Sequence, residues 1–514
     1  MLPGTLIRIP PPENKEGNVD YKALSTSLIT FTKPATHSAS YIRPVAAPDN
    51  TKILTGIHIT SLSSDGRGVG KMSNGKVVFV EMAVPGDVVD VVLVKDKKTF
   101  AEGKIATLHQ SSSLRTPHAC AHFGVCGGCK WQHIRYEAQL QYKKKIIEDT
   151  FRKIGKTELP SVPEVIGSEP HYHYRNKLEF AFTDKRWLTD AEISSGAKFA
   201  ERNGLGFHVP GNFLGVLDIE ECHLQPEPSN SIRLAIREFA RQQHYSFFNL
   251  KEQRGLLRNL MIRTATTGEV LVLLSFYEND PAAIATLLGF LSEKFPQITS
   301  LQYVINPKRN DTIYDLSPIV YKGSSYIVET LGEYKFKIGP KSFFQTNTRQ
   351  AITLYNVAAE FAALQPGDLV YDLYTGVGSI AIYLSRACAR VVGMEYVAEA
   401  VADARENAAL NGVNNCHFVA GDVGALLQGD FLQRYGKPDV VITDPPRAGM
   451  HPDVINALLQ AAPRRIVYVS CNAATQARDV EMLSTRYRIA RIQPVDMFPH
   501  TTHIENVVAL EKRE

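Results

Sequence analysis

Three short apolar runs in the last third of the chain each end at a residue that can take part in chemistry. The runs and the residues that follow them are Leu369–Tyr371 before Asp372, Val440–Thr443 before Asp444, and Val467–Ser470 before Cys471. Short runs rich in β-branched residues are typical of strands that are buried on both faces of a parallel sheet. In a doubly wound sheet the carboxyl ends of such strands meet at one edge, where ligands bind. The pattern therefore predicts an α/β fold with a functional site along this edge.

Residues 341–514 alternate strands and helices in regular order, and the turn after the first strand is rich in glycine, Gly376-Val377-Gly378. The second strand ends at Glu395, about 20 residues further on, where an acid is suited to bind ribose hydroxyls. The third strand ends at Asp422, whose carboxylate could accept a hydrogen bond from an adenine amine. The turn lacks a third glycine, so it does not predict a pyrophosphate cradle, and it favours S-adenosylmethionine over NAD.

The first 112 residues fall into two parts of different composition. Residues 1–51 are rich in Pro, Ser and Thr and show little periodicity, which predicts a disordered extension. Residues 52–112 contain short β-branched runs, separated by turn signals such as Asp65–Gly70 and Pro85–Asp87. This pattern predicts a small OB-like β-barrel. A purely structural role is possible for such a barrel, but the lysines near its turns favour RNA binding.

Residues 113–340 combine strands and helices without a parallel βαβ rhythm, and this predicts a central α+β domain. An apolar stripe predicts a helix over residues 136–155 that ends at a glycine, and we expect this helix to pack on the C-terminal domain. Its run Lys143-Lys144-Lys145 is expected to face solvent, with contact to phosphate as the alternative.

The seven cysteines favour a metal site in a reducing compartment over a disulfide framework. Three of them follow C-x5-C-x2-C spacing in a glycine-rich loop, so a fourth ligand must come from elsewhere. Cys388 and Cys416 lie within elements of the last domain, where we expect them to be core residues. The predicted ligands are Cys120, Cys126, Cys129 and Cys222. Four sulfurs suit zinc or an iron–sulfur cluster, and the absence of two C-x2-4-C knuckles from the sequence favours 4Fe–4S.

Charge and hydropathy bound the class of protein. The formal net charge is only +4, so there is no overall basic signal for nucleic acid, although local patches matter more than the sum. No apolar run reaches the ~18 residues of a membrane span, and the N-terminus lacks the pattern of a secretory signal. We therefore expect a cytoplasmic protein without a membrane segment, and we expect a monomer.

Cys471 taken alone would more often be a core thiol than a nucleophile. Two further motifs change this expectation, namely Asp444–Gly449 at the adjacent strand end and His503–Glu505 near the C-terminus. A thiolate, an acid over the cofactor and a second carboxylate suit addition, methylation and elimination at C5 of a pyrimidine.

Together these motifs resemble the RNA uracil-5-methyltransferase family, in particular its branch that acts on 23S rRNA. The resemblance covers about residues 52–514 and rests on Ser342–Asn347, Asp372–Gly378, Asp444–Gly449, Ser470–Asn472 and His503–Glu505. It implies that residues 52–112 are a TRAM domain and that residues 341–514 are a Rossmann-like S-adenosylmethionine-dependent methyltransferase domain. It also implies a 4Fe–4S cluster on the four cysteines.

The same resemblance implies roles for individual residues, with Cys471 as the nucleophile and Glu505 as the base. The implied cofactor-binding residues are Gln345, Tyr374, Ser379, Glu395, Asp422 and Asp444. Ser379 stands where other members often carry Asn. Two alternatives remain. One is methylation of tRNA, although that branch typically lacks the barrel and the cluster. The other is a non-catalytic RNA-binding assembly factor, for which we would expect a broken cofactor loop or a missing nucleophile.

Overall fold

The computed structural model of the protein describes residues 52–156, 158–428 and 430–514. The predicted disordered extension, residues 1–51, lies outside the described residues. Within these ranges, no helix is both long and apolar enough to cross a membrane.

The first described segment folds into a closed barrel with strand order β1-β2-β3-β5-β4. The strands are β1 (Ile53–Leu62), β2 (Gly68–Lys71), β3 (Val77–Glu81), β4 (Val88–Asp96) and β5 (Phe100–Gln110). The predicted barrel is confirmed, but the Gly68–Gly70 segment, predicted as part of a turn, forms β2. A Cβ atom at Gly70 would lie 2.6 Å from the side chain of Ile57. Glycine is therefore needed here because β2 passes close to β1.

A helix, α1 (Tyr136–Thr150), follows the cysteine-rich loop and continues into a π-helical turn over Phe151–Gly155. Ile147 and Phe151 are buried in the core of the C-terminal domain. Lys143 is also fully buried, and its charge is compensated there by an ion pair with Asp496 at 2.7 Å. The expectation that the whole lysine run faces solvent is therefore wrong at this position.

The central domain is built on a seven-stranded sheet with order β12-β11-β10-β9-β6-β7-β8. Its strands are β6 (Lys177–Thr183), β7 (Gly204–Val209), β8 (Asn212–Asp218), β9 (Leu257–Thr264), β10 (Val270–Phe276), β11 (Ile298–Ile305) and β12 (Ile319–Gly323), and its helices are α2 (Asp190–Ser194), α3 (Ser229–Gln242) and α4 (Pro281–Lys294). The only parallel pair in this sheet, among the described residues, is β10 with β11, joined by α4. Helices α3 and α4 cover one face. The other face packs on a hairpin of β13 (Ile327–Leu331) and β14 (Tyr334–Ile338) and on the C-terminal domain.

The C-terminal domain is a second seven-stranded sheet with order β17-β16-β15-β18-β19-β21-β20. Its strands are β15 (Leu369–Leu373), β16 (Arg390–Glu395), β17 (Cys416–Ala420), β18 (Val440–Thr443), β19 (Arg465–Ser470), β20 (Tyr487–Val495) and β21 (Glu505–Lys512). Its helices are α5 (Thr348–Ala362), α6 (Ser379–Leu384), α7 (Ala398–Leu410), α8 (Val423–Leu426), α9 (Phe431–Tyr435), α10 (Pro452–Ala461) and α11 (Ala473–Leu483). The predicted doubly wound sheet is confirmed. The strand order reverses at β15, which opens a crevice between the carboxyl ends of β15 and β18.

Candidate active site

The register of the parallel strands brings three predicted residues side by side. Leu373, the last residue of β15, pairs with Met394 of β16 and with Thr443 of β18. Tyr374 therefore lies between Glu395 and Asp444, each of them one residue further along its own strand. These side chains stand at the edge of the crevice that the strand order predicts as a binding site.

The glycine-rich turn after β15 is shaped by backbone that only a few residues adopt. Tyr374, Gly376 and Gly378 all have positive φ, of 64°, 55° and 80°. Both oxygens of Glu395 hold this edge, since one accepts from the N–H of Gly376 at 3.1 Å and the other from the N–H of Val397 at 3.0 Å. These hydrogen bonds fix the Glu395 carboxylate against the glycine-rich turn.

Asp372 lies beneath this turn and is almost completely buried. Burial raises its pKa to about 7, although Thr375 donates a hydrogen bond to it. A cation that binds above Asp372 would therefore lower its pKa and favour the carboxylate form.

The other predicted cofactor residues lie in three different settings. Ser379 begins α6, and its hydroxyl lies 2.8 Å from that of the buried Tyr355. Gln345 is buried, and its carbonyl oxygen accepts from the Asn176 amide of the central domain at 2.9 Å. Asp422 is exposed and caps α8, where it accepts from the N–H of Ala425 at 2.9 Å.

Cys471 and Glu505 face each other across two antiparallel strands. Ser470 of β19 pairs with Asn506 of β21, so one further step of the same register sets Cys471 directly opposite Glu505. Cys471 is half-buried, whereas Glu505 is only 5% exposed. A thiol and a carboxyl group, the side chains predicted as nucleophile and base, thus lie at one end of the sheet.

The loop that carries Asp444 also supports the cysteine. The amide of Asn472 donates to the carbonyl of Arg447 at 2.9 Å, and the hydroxyl of Thr475 contacts the same carbonyl at 3.2 Å. The strand end at Cys471 is therefore fixed against the Asp444–Gly449 segment.

Cys471, Glu505 and Asp444 share one electrostatic environment. Burial raises the pKa of the Cys471 thiol, and the two neighbouring carboxylates raise it further. Burial also raises the pKa of Glu505, and Asp444 adds to this effect. The guanidinium of Arg447 opposes both shifts because it favours the charged forms.

Arg447 and His503 are residues of the site to which the sequence analysis assigned no role. A guanidinium nitrogen of Arg447 lies 3.2 Å from Nδ1 of His503. Burial and the nearby Arg447 lower the pKa of His503 to about 4, so the imidazole is neutral and accepts from the arginine. The available signal was their position inside the two motifs that flank the cysteine and the acid.

The four predicted metal ligands line a different cavity, of about 450 Å³, beside the central domain. These ligands are Cys120, Cys126, Cys129 and Cys222. The loop that carries the first three is tied to the segment of the fourth, since His122 accepts from the N–H of Glu220 at 2.9 Å. Burial raises the pKa of Cys126 to about 11 and that of Cys129 to about 12. Over the described ranges, no three His, Cys, Asp or Glu residues are grouped so that they could hold a metal ion.

Two family models match the chain. The model of tRNA (Uracil-5-)-methyltransferase matches residues 322–513, and the TRAM domain model matches residues 56–106. These matches fall on the candidate active site and on the barrel.

Relatives and a solved structure extend the likeness over most of the chain. A protein of Bacteroides thetaiotaomicron, described as an uncharacterized RNA methyltransferase, is 50% identical over 88% of this chain and 100% of its own length. One of Chlorobaculum tepidum with the same description is 40% identical over 89% of this chain and 96% of its own. The crystal structure of Pyrococcus abyssi tRNA (uracil-54, C5)-methyltransferase with S-adenosyl-L-homocysteine has a TM-score of 0.69 and 30% identity, covering 88% of this chain and 99% of that one.

Proposed function

Because the chain belongs to the RNA uracil-5-methyltransferase family, whose members use S-adenosylmethionine, we propose that Cys471 and Glu505 carry the methylation of uridine C5 in RNA. The observation that carries this proposal is the antiparallel register that sets the thiol opposite the buried carboxyl group. Both groups lie at the same sheet edge as Asp444 and the glycine-rich turn.

The proposed reaction begins with the nucleophile, because C5 of uracil is a weak nucleophile by itself. The Cys471 thiolate forms a bond to C6, and the electron pair of the 5,6-double bond moves to an enolate over C5 and O4. C5 then takes the methyl group, which S-adenosylmethionine supplies from its sulfonium. Glu505 removes the proton from C5, the electrons of that bond restore the double bond, and the thiolate of Cys471 leaves.

The charges of the site support a cationic methyl donor. Asp372, Asp444 and Glu505 are carboxyl groups whose pKa is raised by burial and, in part, by one another. A positive ligand among them would lower their pKa and favour the carboxylate that proton removal requires. The residues we propose to hold S-adenosylmethionine are Gln345, Tyr374, Ser379, Glu395, Asp422 and Asp444.

Arg447 is suited to assist the nucleophile. Its guanidinium lowers the pKa of Cys471, and its contact with the neutral His503 holds it beside the thiol. We therefore assign it to stabilise the thiolate before and after the bond to C6 exists.

Trapping of the covalent intermediate tests the assignment of Cys471. RNA that carries 5-fluorouridine cannot lose its C5 substituent as a proton, so the methylated adduct should accumulate with the native protein. Cys471→Ala should abolish the adduct, whereas Cys416→Ala, which changes another half-buried thiol of the same domain, should leave it intact. An adduct that persists in Cys471→Ala would refute the role of this residue.

A second variant tests Glu505 separately. With ordinary uridine, Glu505→Gln should form the bond to C6 and transfer the methyl group, but it should not release the product. An adduct that carries a methyl group should then accumulate, as mass spectrometry of the protein–RNA complex would show. Normal turnover by Glu505→Gln would refute its role as the base.

For the cysteine cavity we propose a 4Fe–4S cluster. In such a cluster each thiolate binds a different iron, so the sulfurs surround a larger volume than the ligands of one zinc ion. The four cysteines line one cavity and could supply these thiolates. Anaerobically prepared protein should contain about four irons and show sulfur-to-iron charge-transfer absorbance, which Cys222→Ser should reduce and Cys388→Ser should not. Bound zinc without iron would refute the proposal.

As the substrate we propose 23S rRNA, because the resemblance connects the TRAM barrel and the four cysteines with that branch. Transfer RNA is the second candidate, favoured by the matching tRNA (Uracil-5-)-methyltransferase model and the Pyrococcus abyssi structure. Methyl transfer to purified 23S rRNA and to unmodified tRNA, each as sole substrate, separates the two. Incorporation into tRNA alone would refute the ribosomal assignment.

A further inference from the structure

A second pocket lies on the central domain, lined by residues of β6, β7, β8 and β9 and by neighbouring loops. It has a volume of about 260 Å³ and is formed by the hairpin β7–β8, the end of β6 and the loops around residues 248–251 and 309–311. We call it the edge pocket. None of its lining residues belongs to the candidate active site or is one of the four cysteines. Its volume is below the usual range for drug-sized ligands and suits a single nucleoside.

An exposed aromatic side chain stands at the mouth of the edge pocket. Phe213, in β8, is 74% exposed, and the neighbouring Leu214 is 54% exposed. One face of the Phe213 ring stacks on His208, with 5.3 Å between the ring centroids and an angle of 4° between the planes. The other face is therefore open to solvent. Unpaired nucleobases of RNA bind to open aromatic faces of this kind.

The wall of the pocket holds a polar atom that can recognise the edge of a base. Oδ1 of Asn259 is buried and has no hydrogen-bond partner within the described part of the chain. Arg258 next to it donates to the carbonyls of Asn306 and Lys308 and lies 4.7 Å from the centre of the Phe248 ring, so this wall is rigid. The side-chain amide of Asn259 can both donate and accept, so it suits a ligand with polar groups along its edge. Nucleobases present such groups on their edges.

The charges around the edge pocket suit a phosphate-bearing ligand. Its lining cations are Lys185, Lys251, Arg258 and Arg309, and its lining acids are Asp184 and Asp311. Asp184 accepts from the Asn249 amide at 2.8 Å, and Lys185 lies 3.7 Å from Glu252. Arg258 is buried and its guanidinium donates to backbone carbonyls, so Lys251 and Arg309 are the exposed lining cations that could meet the phosphate of an RNA backbone.

The edge pocket adjoins the cysteine cavity. His208 lines both the edge pocket and the cysteine cavity. Thr346, which follows Gln345 in the Ser342–Asn347 motif, also lines the cysteine cavity. The edge pocket therefore shares a lining residue with a cavity that reaches this motif.

From these observations we infer that the edge pocket binds one unpaired nucleotide of the RNA substrate, separate from the target uridine. Its base stacks on Phe213 and turns its polar edge to the Asn259 amide, and its phosphate lies near Lys251 and Arg309. This inference rests on the proposed function, since it takes RNA as the substrate. It gives a role to the Phe213 ring, which is exposed among charged side chains.

Removal of the exposed ring tests this inference without disturbing the core. Phe213→Ala should weaken the binding of a long RNA substrate about 5- to 150-fold, which is the range for loss of one base–aromatic stack. Phe213→Trp should retain the affinity. Tyr321→Ala is the matched control, since it removes an aromatic ring that is 43% exposed on β12, at the opposite edge of the same sheet. The affinity for S-adenosylmethionine should not change in any of these variants.

The length of the RNA and the choice of readout separate this inference from the proposed function. For a minimal hairpin that holds only the target loop, Phe213→Ala should bind as the native protein does. Binding is measured by fluorescence anisotropy in a Cys471→Ala background, so that methylation plays no part in it. Dependence of long-RNA binding on Phe213 would support the edge pocket even if no methylation of uridine were found. Equal affinities of Phe213→Ala and Tyr321→Ala for the long RNA would overturn the inference. The exposed ring of Phe213 would then be a candidate contact for a protein partner.

Discussion

Lys143→Met is the perturbation from which we expect the largest effect outside the active site. The Nζ atom of Lys143 donates to Asp496 at 2.7 Å and to the carbonyl of Phe498 at 3.1 Å, and neither charged side chain is exposed. Methionine has a similar length but no charge, so the variant would leave the carboxylate of Asp496 buried without its cation. The hydroxyl of Tyr136 would still donate to that carboxylate, at 2.8 Å.

The expected loss of folding free energy in Lys143→Met follows from the burial of the Lys143–Asp496 pair. Removing one partner of a buried ion pair costs about 3–5 kcal/mol of folding free energy. Because Asp496 keeps its hydrogen bond from Tyr136, we expect the lower end of this range, about 3 kcal/mol. Urea unfolding should show a lower midpoint at an unchanged slope. In the double variant with Asp496→Asn, the second change should recover part of the loss, with a coupling of about 1–3 kcal/mol.

The same variant should also slow catalysis, because Asp496 begins the loop that leads to Glu505. At a temperature where Lys143→Met is folded, formation of the covalent adduct should fall while the affinity for S-adenosylmethionine stays unchanged. Lys144→Met is the matched control, since Lys144 contacts Glu164 at the surface, and its midpoint should stay near that of the native protein. A loss below about 1 kcal/mol in Lys143→Met, as for an exposed pair, would refute this reasoning.

Two further predictions concern the active site. In the proposed mechanism Cys471 and Glu505 both act deprotonated, and both have a raised pKa, so kcat/KM should rise with pH from the acid side. Arg447→Ala removes the cation that lowers both values and should move this rise to higher pH, whereas an unmoved pH profile would contradict its role. Gly378→Ala should weaken S-adenosylmethionine binding, measured by calorimetry, because its φ of 80° is strained for alanine and the new Cβ would lie 3.0 Å from a neighbouring ring. Gly367→Ala, with no atom within 4 Å of its Cβ, should bind normally.

The strands of the C-terminal sheet could be predicted because parallel strands buried on both faces form continuous apolar runs. The residues that follow these runs, Tyr374, Glu395, Asp444 and Cys471, could be assigned to one edge because parallel strands share a direction. The register that sets Glu505 opposite Cys471 was not predicted, since it depends on β21 lying antiparallel between β19 and β20.

Other features escaped prediction because their partners are distant in sequence. Lys143 lies in a run of three lysines, and local periodicity cannot reveal that Asp496 meets one of them 353 residues later. Strand β2 was predicted as a turn because its glycines are typical of turns, whereas here they allow close packing against β1. Arg447 and His503 were inside recognised motifs, but their 3.2 Å contact could not be predicted from positions 56 residues apart.

The loop from Asp496 to Ile504 links the described domains to Glu505, the proposed base. The N–H groups of Lys130 and Trp131, close in sequence to Cys129, donate to the carbonyl of His500, and the Trp131 indole donates to Gly66 of the barrel. The side chain of Gln139 in α1 accepts from the N–H of His500. The hydroxyl of Tyr174, in the central domain, donates to the carbonyl of Pro499 at 3.1 Å. A cluster bound at the cysteines would therefore influence methylation by holding this loop, and Glu505 at its end, in place. Electron transfer is not needed for such an effect, so a cluster with a purely structural role agrees with a reaction that has no redox step.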